Sequence, residues 1–301
     1  MNPVVSALLQ SWDWRIEIIV PLLLFGTLFF TGWRRLHKSQ LKPGKRQPAA
    51  VWRLAAYLSG IAVLAIALMS PIDILGSQLF YMHMIQHLLL VMVVPPLLLI
   101  ANPFPFVMWG LPTAGRAKIA GFFTAKSGFR QSLRRLTPPG AAWLLFFAVF
   151  LGWHDPNAYN AALLNETLHD LEHLTFFATA MLFWWHVTGA GPRIHGRFPR
   201  PARIAYLLAA VPVNMLTGVA IAFATEPIYT YYASVPRWWG VSVMEDQMLG
   251  GILMWIPGSM MFLVAAIVLI AGWVQAEDNK EPLPETEWGT EETMLAPGWE
   301  K

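Results

Sequence analysis

The chain has 301 residues, of which 56% are hydrophobic and 13% are charged, with a formal net charge of +3. Soluble domains carry about 25% charged residues, so this composition excludes a soluble globular protein, a disordered chain and a coiled coil as the main architecture. It predicts a multi-pass membrane protein. The chain contains no cysteine, which excludes disulfides, iron–sulfur clusters and thiolate metal sites. A transition metal would have to bind to histidine, methionine, carboxylate or backbone groups.

Seven stretches are long and apolar enough to cross a bilayer, which takes about 20 residues. The third contains Pro95 and Pro96, where we expect the helix to kink or break. The first is interpreted as a retained span, because it lacks the small-residue cleavage site of a signal peptide. In chain order the predicted spans are about 16–33, 53–71, 79–101, 139–154, 168–188, 203–224 and 247–274.

These spans predict an all-α fold with two parts. Residues 1–275 form a bundle of seven transmembrane helices, and residues 276–301 form an acidic, flexible cytoplasmic tail. The loops at 34–53, 116–135 and 193–203 hold 17 of the 21 Lys and Arg residues and no acidic residue. Because positive loops stay in the cytoplasm, we expect the N-terminus outside and the C-terminus inside a bacterial plasma membrane. We interpret the basic loops as topology signals that contact anionic membrane lipids, and we expect no nucleic-acid partner.

Five of the eight histidines fall at the predicted outer ends of spans. Two pairs are spaced H-x-x-x-H, and residues four apart share one face of a helix, so the two imidazoles of a pair can point at one metal ion. Two pairs at the same depth on separate spans predict a metal site more strongly than one pair, although a lone interfacial histidine is more often simply solvated. The five are His83 and His87, His154, and His169 and His173.

Carboxylates and thioethers accompany these histidines. Glu166 precedes His169 by three residues, and a carboxylate in that position can bind the metal or fix the tautomer of a ligand histidine. Asp246, at the start of the seventh span, is interpreted as either a helix cap or a site residue. Met84 lies beside His83, and methionine with imidazole suits copper, Cu(I) in particular. A single methionine is nevertheless more often a packing residue than a ligand.

Four ordered segments carry a resemblance to a known family. They are MHMIQHLLLVMVVPPLLLIANP, WHDPNAY, HDLEHLTFFATAMLFWW and EDQMLGGILMW, within about residues 70 to 275. They resemble the motif series of the CtaG family, membrane assembly factors for cytochrome c oxidase of the caa3 type. The resemblance implies a seven-helix protein that is needed for active oxidase and that delivers or inserts copper. By motif position it carries over His83, His87, His154, His169, His173, Asp246 and Gln247. The chain departs from the family at His186, where a proline is expected after two tryptophans.

The sequence therefore predicts a binding and assembly protein, not an enzyme. We expect copper, with Cu(I) favoured, to bind at the outer ends of the spans and to pass to cytochrome c oxidase subunits. Haem is not expected, because haem usually takes one histidine from each of two helices. A haem-binding electron-transfer protein, a copper or proton transporter and a zinc hydrolase stay open as alternatives. The predicted metal ligands are His83, His87, His154, His169, His173, Asp246, Met84 and Glu166.

Overall fold

A computed structural model describes residues 11–39, 49–196, 198–237 and 240–279, and all regular structure within them is helical. The predicted all-α fold is confirmed for these residues. Most of the predicted acidic tail lies outside the described residues. In chain order the helices are α1 Ile16–Ser39, α2 Val51–Met69, α3 Pro71–Gly76, α4 Phe80–Ile100, α5 Pro103–Gly110, α6 Thr113–Phe122, α7 Gly128–Leu136, α8 Pro139–Trp153, α9 Pro156–Leu164, α10 Glu166–Thr188, α11 Arg200–Ala222, α12 Tyr231–Ser234 and α13 Val243–Asp278.

Five of these helices, α1, α2, α4, α11 and α13, are long and apolar enough to cross a membrane. A sixth span results if α7 and α8, which are bent by 64° at their junction, form one crossing. The predicted fourth span coincides with α8, which has 15 residues. The predicted fifth span coincides with α10, which has 23 residues but whose histidines and carboxylates lower its hydropathy. The count of seven spans and the orientation of the termini stay predictions.

Two of the long helices pass prolines without a break. The helix expected to kink or break at Pro95 and Pro96 does not break, because α4 contains a wider π-helical turn at Leu89–Val93 and then continues to Ile100; the kink stays a prediction. A π turn changes the backbone hydrogen-bond register, which accommodates residues that have no N–H to donate. A second π turn, Met254–Gly258, surrounds Pro257 in α13. There the side-chain amide of Asn214 donates to the Met254 carbonyl oxygen at 2.7 Å.

Glycines let α13 pack closely against two neighbours. A side chain at Gly250 would overlap the ring of Phe80 at the start of α4, and a Cβ at Gly251 would lie 2.5 Å from the backbone nitrogen of Ala222 in α11. Glycine at these positions permits this close approach of the helices. This packing fixes the beginning of α4, the helix that carries the first histidine pair.

Candidate metal centre

The two H-x-x-x-H pairs meet in the structure. Helix α4 carries His83 and His87, and α10 carries His169 and His173; neighbouring ring centroids are 4.2–5.8 Å apart. His83 is fully buried, His87 and His173 are each 6% exposed, and His169 is half-buried. With Glu172, which is also fully buried, these residues form what we call the His/Glu cluster.

Glu172 brings a carboxylate against the histidines of α4. Its Oε1 lies 3.6 Å from Nε2 of His87, and its Oε2 lies 3.9 Å from Nε2 of His83. Neither oxygen accepts a hydrogen bond from any described residue. A buried carboxylate without a partner costs free energy unless it is protonated or faces a cation, so its surroundings are typical of a cation site.

Other buried atoms of the cluster also lack partners among the described residues: Nδ1 of His87 and Nε2 of both His169 and His173. Buried polar groups are almost always hydrogen-bonded, so several unpartnered atoms on adjacent side chains call for a ligand. Two sets of three ligand atoms each lie within 4.8 Å of one another. One set is His83, His169 and His173, and the other is His83, His87 and Glu172.

The spacing of the second set fits one metal ion. Nitrogen and oxygen ligands about 2.0–2.1 Å from a tetrahedral ion lie about 3.3 Å apart. The Nε2 atoms of His83 and His87 are 2.8 Å apart, and Glu172 is 3.6 and 3.9 Å from them. These distances bracket the required separation, so shifts of under an ångström convert the set into a coordination site.

Two tyrosines hold the other side of the His83 ring. Nδ1 of His83 lies 2.9 Å from the Tyr159 hydroxyl, which lies 3.1 Å from the Tyr232 hydroxyl, and Tyr232 donates to the carbonyl oxygen of Gly76 at 2.9 Å. Burial raises the pKa of both phenols well above the usual value, so both keep their protons at neutral pH.

Only one assignment of protons serves all three contacts. The Gly76 carbonyl cannot donate, so it takes the proton of Tyr232; Tyr159 then donates to Tyr232, and Nδ1–H of His83 donates to Tyr159. In that tautomer Nε2 of His83 carries a lone pair. The tyrosines therefore prepare His83 to bind a metal through Nε2 and fix its ring plane.

Asp246 is not part of the His/Glu cluster; it caps the beginning of α4, the helix that carries His83 and His87. Its carboxylate accepts from the backbone N–H groups of Phe80 and Tyr81 at 3.0 and 2.9 Å and from Arg237 at 2.9 Å. These bonds satisfy the first backbone donors of α4, which otherwise lack a partner. Both of its oxygens are thus occupied. Gln247 also bonds to backbone groups only, namely Ile221, Glu226 and Ile228.

His154 lies at the end of α8, where its Nδ1 donates to the Phe150 carbonyl oxygen at 2.6 Å. Its Nε2 is buried and has no partner within the described ranges. Glu166 is exposed in the first turn of α10.

A cavity of about 30 Å³, the space of about one water, adjoins the cluster at His87. Among the residues that line it are His87, His154, Met84, Met92 and Met254.

The family model of the cytochrome c oxidase caa3 assembly factor (Caa3_CtaG) matches residues 27–276, which include the entire His/Glu cluster. The chain belongs to this family. The resemblance drawn from the four sequence segments is confirmed. CtaG-family chains are assembly factors for cytochrome c oxidase, and the several long apolar helices of this chain agree with a multi-pass membrane protein.

Three curated mycobacterial proteins are similar to this chain. Uncharacterized proteins of Mycobacterium bovis and Mycobacterium tuberculosis are each 27% identical to this chain over 273 residues, and one of Mycobacterium leprae is 27% identical over 280 residues. Each alignment covers 88% of this chain but 40% of the relative, so the chain spans less than half the length of these relatives. No solved structure matches the chain.

Three residues of the candidate site are absent from the sequence-based set: Glu172, Tyr159 and Tyr232. The sequence does point to Glu172, because it follows His169 by three residues and therefore shares its helix face. Tyr159 lies in the WHDPNAY segment, where histidine and aspartate draw attention first. Tyr232 had no signal, because it lies 149 residues from His83 in the chain and reaches it only through the fold.

Proposed function

We propose that this chain serves cytochrome c oxidase assembly by binding copper in the His/Glu cluster and passing it to an oxidase subunit in the same membrane. The observation that carries the proposal is the buried carboxylate of Glu172, unpartnered and within 4 Å of two imidazoles. Copper is the cargo, so the chain needs no catalytic residue and we propose no enzymatic activity. Membership of an oxidase assembly family supports this role.

The donor atoms support copper as the cargo. Imidazole and carboxylate ligands bind divalent first-row metals, among which Cu²⁺ is bound most tightly by a given site. Cu(I) prefers soft ligands, and the three methionines of the neighbouring cavity, Met84, Met92 and Met254, give it a thioether environment on the far side of His87. Ligand exchange at His87 would let the ion leave the carboxylate without leaving the protein.

Haem receives less support from the same geometry. Axial histidines of a haem lie on opposite faces of a flat macrocycle, each from its own helix. Here the four rings pack against one another with centroids 4.2–5.8 Å apart, which leaves no gap for a porphyrin between them. A transport path needs polar groups that are available within the spans, and it is supported even less. Asn214 is a buried polar residue of α11, and its amide already donates to Met254 and Ser259.

Copper content of the purified full-length chain tests the proposal. We expect near-stoichiometric copper after equilibrium dialysis of the wild type, and background copper in a His83→Ala, His87→Ala variant. His186→Ala is the matched control, because His186 is also buried on α10 but lies 13 residues, or about 20 Å, beyond His173. In cells, the double variant should lower oxidase activity at normal abundance of the chain. Copper bound equally by wild type and double variant would refute the proposal. A haem absorption spectrum of the purified chain would favour a haem-binding electron-transfer protein instead.

A further inference from the structure

At the other end of α10, a polar cavity opens among the basic loops. It has a volume of about 420 Å³ and is lined by the end of α10, the loop at 189–196 and the start of α11. Two of its lining residues, Arg193 and Arg203, are positively charged, and no described residue that lines it is acidic. His186 and His195 add two imidazoles to its wall.

The backbone of the loop leaves room for the Arg203 guanidinium beside the cavity. Gly189 and Gly191 have φ angles of +65° and +85°, which favour glycine. A Cβ at Gly189 would lie 2.9 Å from the Arg203 guanidinium, which donates to the carbonyl oxygens of Phe198 and Val187 at 3.0 and 3.3 Å. Arg193 is exposed and forms no ion pair with any described residue.

An apolar groove continues from this cavity along the bundle. The groove has a volume of about 650 Å³ and shares Trp185, Gly191 and Pro192 with the cavity. It runs along α10 from Trp185 to Phe177, eight residues or about 12 Å, between α1, α2 and α4. That length is close to the hydrocarbon depth of one leaflet, about 15 Å.

We propose that the cavity and groove together bind one anionic phospholipid, with its phosphate between the arginines and an acyl chain in the groove. Arg193 supplies a positive charge that forms no ion pair with any described residue, and the groove supplies apolar surface at the depth of the acyl chains. Basic pockets on the cytoplasmic side of membrane proteins bind anionic headgroups in this way. His186 is part of the cavity wall.

Native mass spectrometry of the full-length chain, titrated in detergent with phosphatidylglycerol or phosphatidylcholine, tests this site. We expect one phosphatidylglycerol to bind at least about tenfold more tightly than phosphatidylcholine. Arg193→Glu should weaken the binding of phosphatidylglycerol by about fivefold or more, since one basic contact at a membrane surface corresponds to about a fivefold change in affinity. Lys118→Glu is the matched control: it makes the same charge change at an exposed residue of α6 that does not line the cavity.

A second variant tests the groove. Met181→Trp narrows the groove and should weaken the binding of both lipids. The preference for phosphatidylglycerol over phosphatidylcholine should remain. Three results would overturn the proposal: equal loss of affinity in Lys118→Glu and Arg193→Glu, full competition by inorganic phosphate alone, or no effect of Met181→Trp. The first would mean a general surface field, and the other two a headgroup or free-anion site.

Discussion

Glu172 supplies the carboxyl group of the His/Glu cluster, and replacing it separates metal binding from folding. Glutamine has nearly the same shape and no charge. We expect Glu172→Gln to weaken copper binding by about 10–100-fold, because the carboxylate either binds the ion or balances its charge. In the metal-free protein the change removes a buried, unpartnered carboxylate, so the thermal midpoint of unfolding should stay the same or rise. Copper dialysis and thermal unfolding of the metal-free protein measure the two effects.

Asp170→Asn is the matched control for this change. Asp170 precedes Glu172 by two residues on α10, but its side chain is 41% exposed and pairs with Arg15. The control should bind copper within about twofold of the wild type, since exposed ion pairs contribute little. A lower midpoint with unchanged copper affinity in Glu172→Gln would assign Glu172 a structural role and remove it from the metal site.

Among the helices, α4 depends most on a residue from outside its own segment. We expect Asp246→Asn to lower the free energy of unfolding by about 1–2 kcal/mol, because the amide keeps one acceptor for the α4 backbone but loses the charge and the bond to Arg237. Copper bound per folded molecule should not change, because both carboxylate oxygens face these donors. Chemical unfolding followed by the copper content of the folded fraction provides both readings.

Glu245→Gln supplies the comparison, because Glu245 is exposed and belongs to the capping box of α13, which accepts glutamine equally well. We expect it to change the unfolding free energy by less than about 0.5 kcal/mol. If Asp246→Asn instead removed copper while leaving stability intact, Asp246 would be a ligand, as its place in the sequence-based set proposes.

The sequence predicts the histidine spacing, because a four-residue repeat places two imidazoles on one face of any helix. It cannot predict that α4 meets α10, because a pattern within one segment reports only which face is polar. Asp246, interpreted from the sequence as either a helix cap or a site residue, shows that a pattern within one segment does not reveal contacts with another. Its own helix is already capped by Ser242, and the helix that it caps begins 166 residues earlier in the chain. Tyr232 escapes prediction for the same reason.

The spans show a different limit. Hydropathy identifies α1, α2, α4, α11 and α13, whose side chains face lipid or an apolar core. Helix α10 is less apolar because its first turns carry the residues of the His/Glu cluster, so the candidate site itself weakens the signal of the span. The helix expected to kink or break at Pro95 does not break, because a π turn, which composition does not reveal, accommodates the prolines.

For the whole molecule, the two candidate sites lie at opposite ends of α10: the His/Glu cluster in its first two turns and the cationic cavity at its last. Copper would then enter from the side opposite the basic loops. This arrangement requires α10 to cross the bilayer and α8 to bring the chain back. At 15 residues, or about 22 Å, α8 is shorter than the roughly 30 Å hydrocarbon core, so the crossing needs a thinned bilayer or the help of α7.

Single cysteines test that crossing directly, since the natural chain has none and therefore gives no background labelling. Lys126 and Asn157 are exposed on either side of α7 and α8. We expect a membrane-impermeant maleimide to label Asn157→Cys in spheroplasts and Lys126→Cys only after the membrane is permeabilised, because positive loops stay in the cytoplasm. Normal oxidase activity in both variants shows that the labelled chains are native. Labelling of both cysteines in intact spheroplasts would mean that α8 does not cross, and the count of seven spans would fall. Labelling of Lys126→Cys alone in intact spheroplasts would mean that the orientation of the bundle is the reverse of the predicted one. The His/Glu cluster would then lie on the cytoplasmic side, and copper would have to reach it from the cytoplasm.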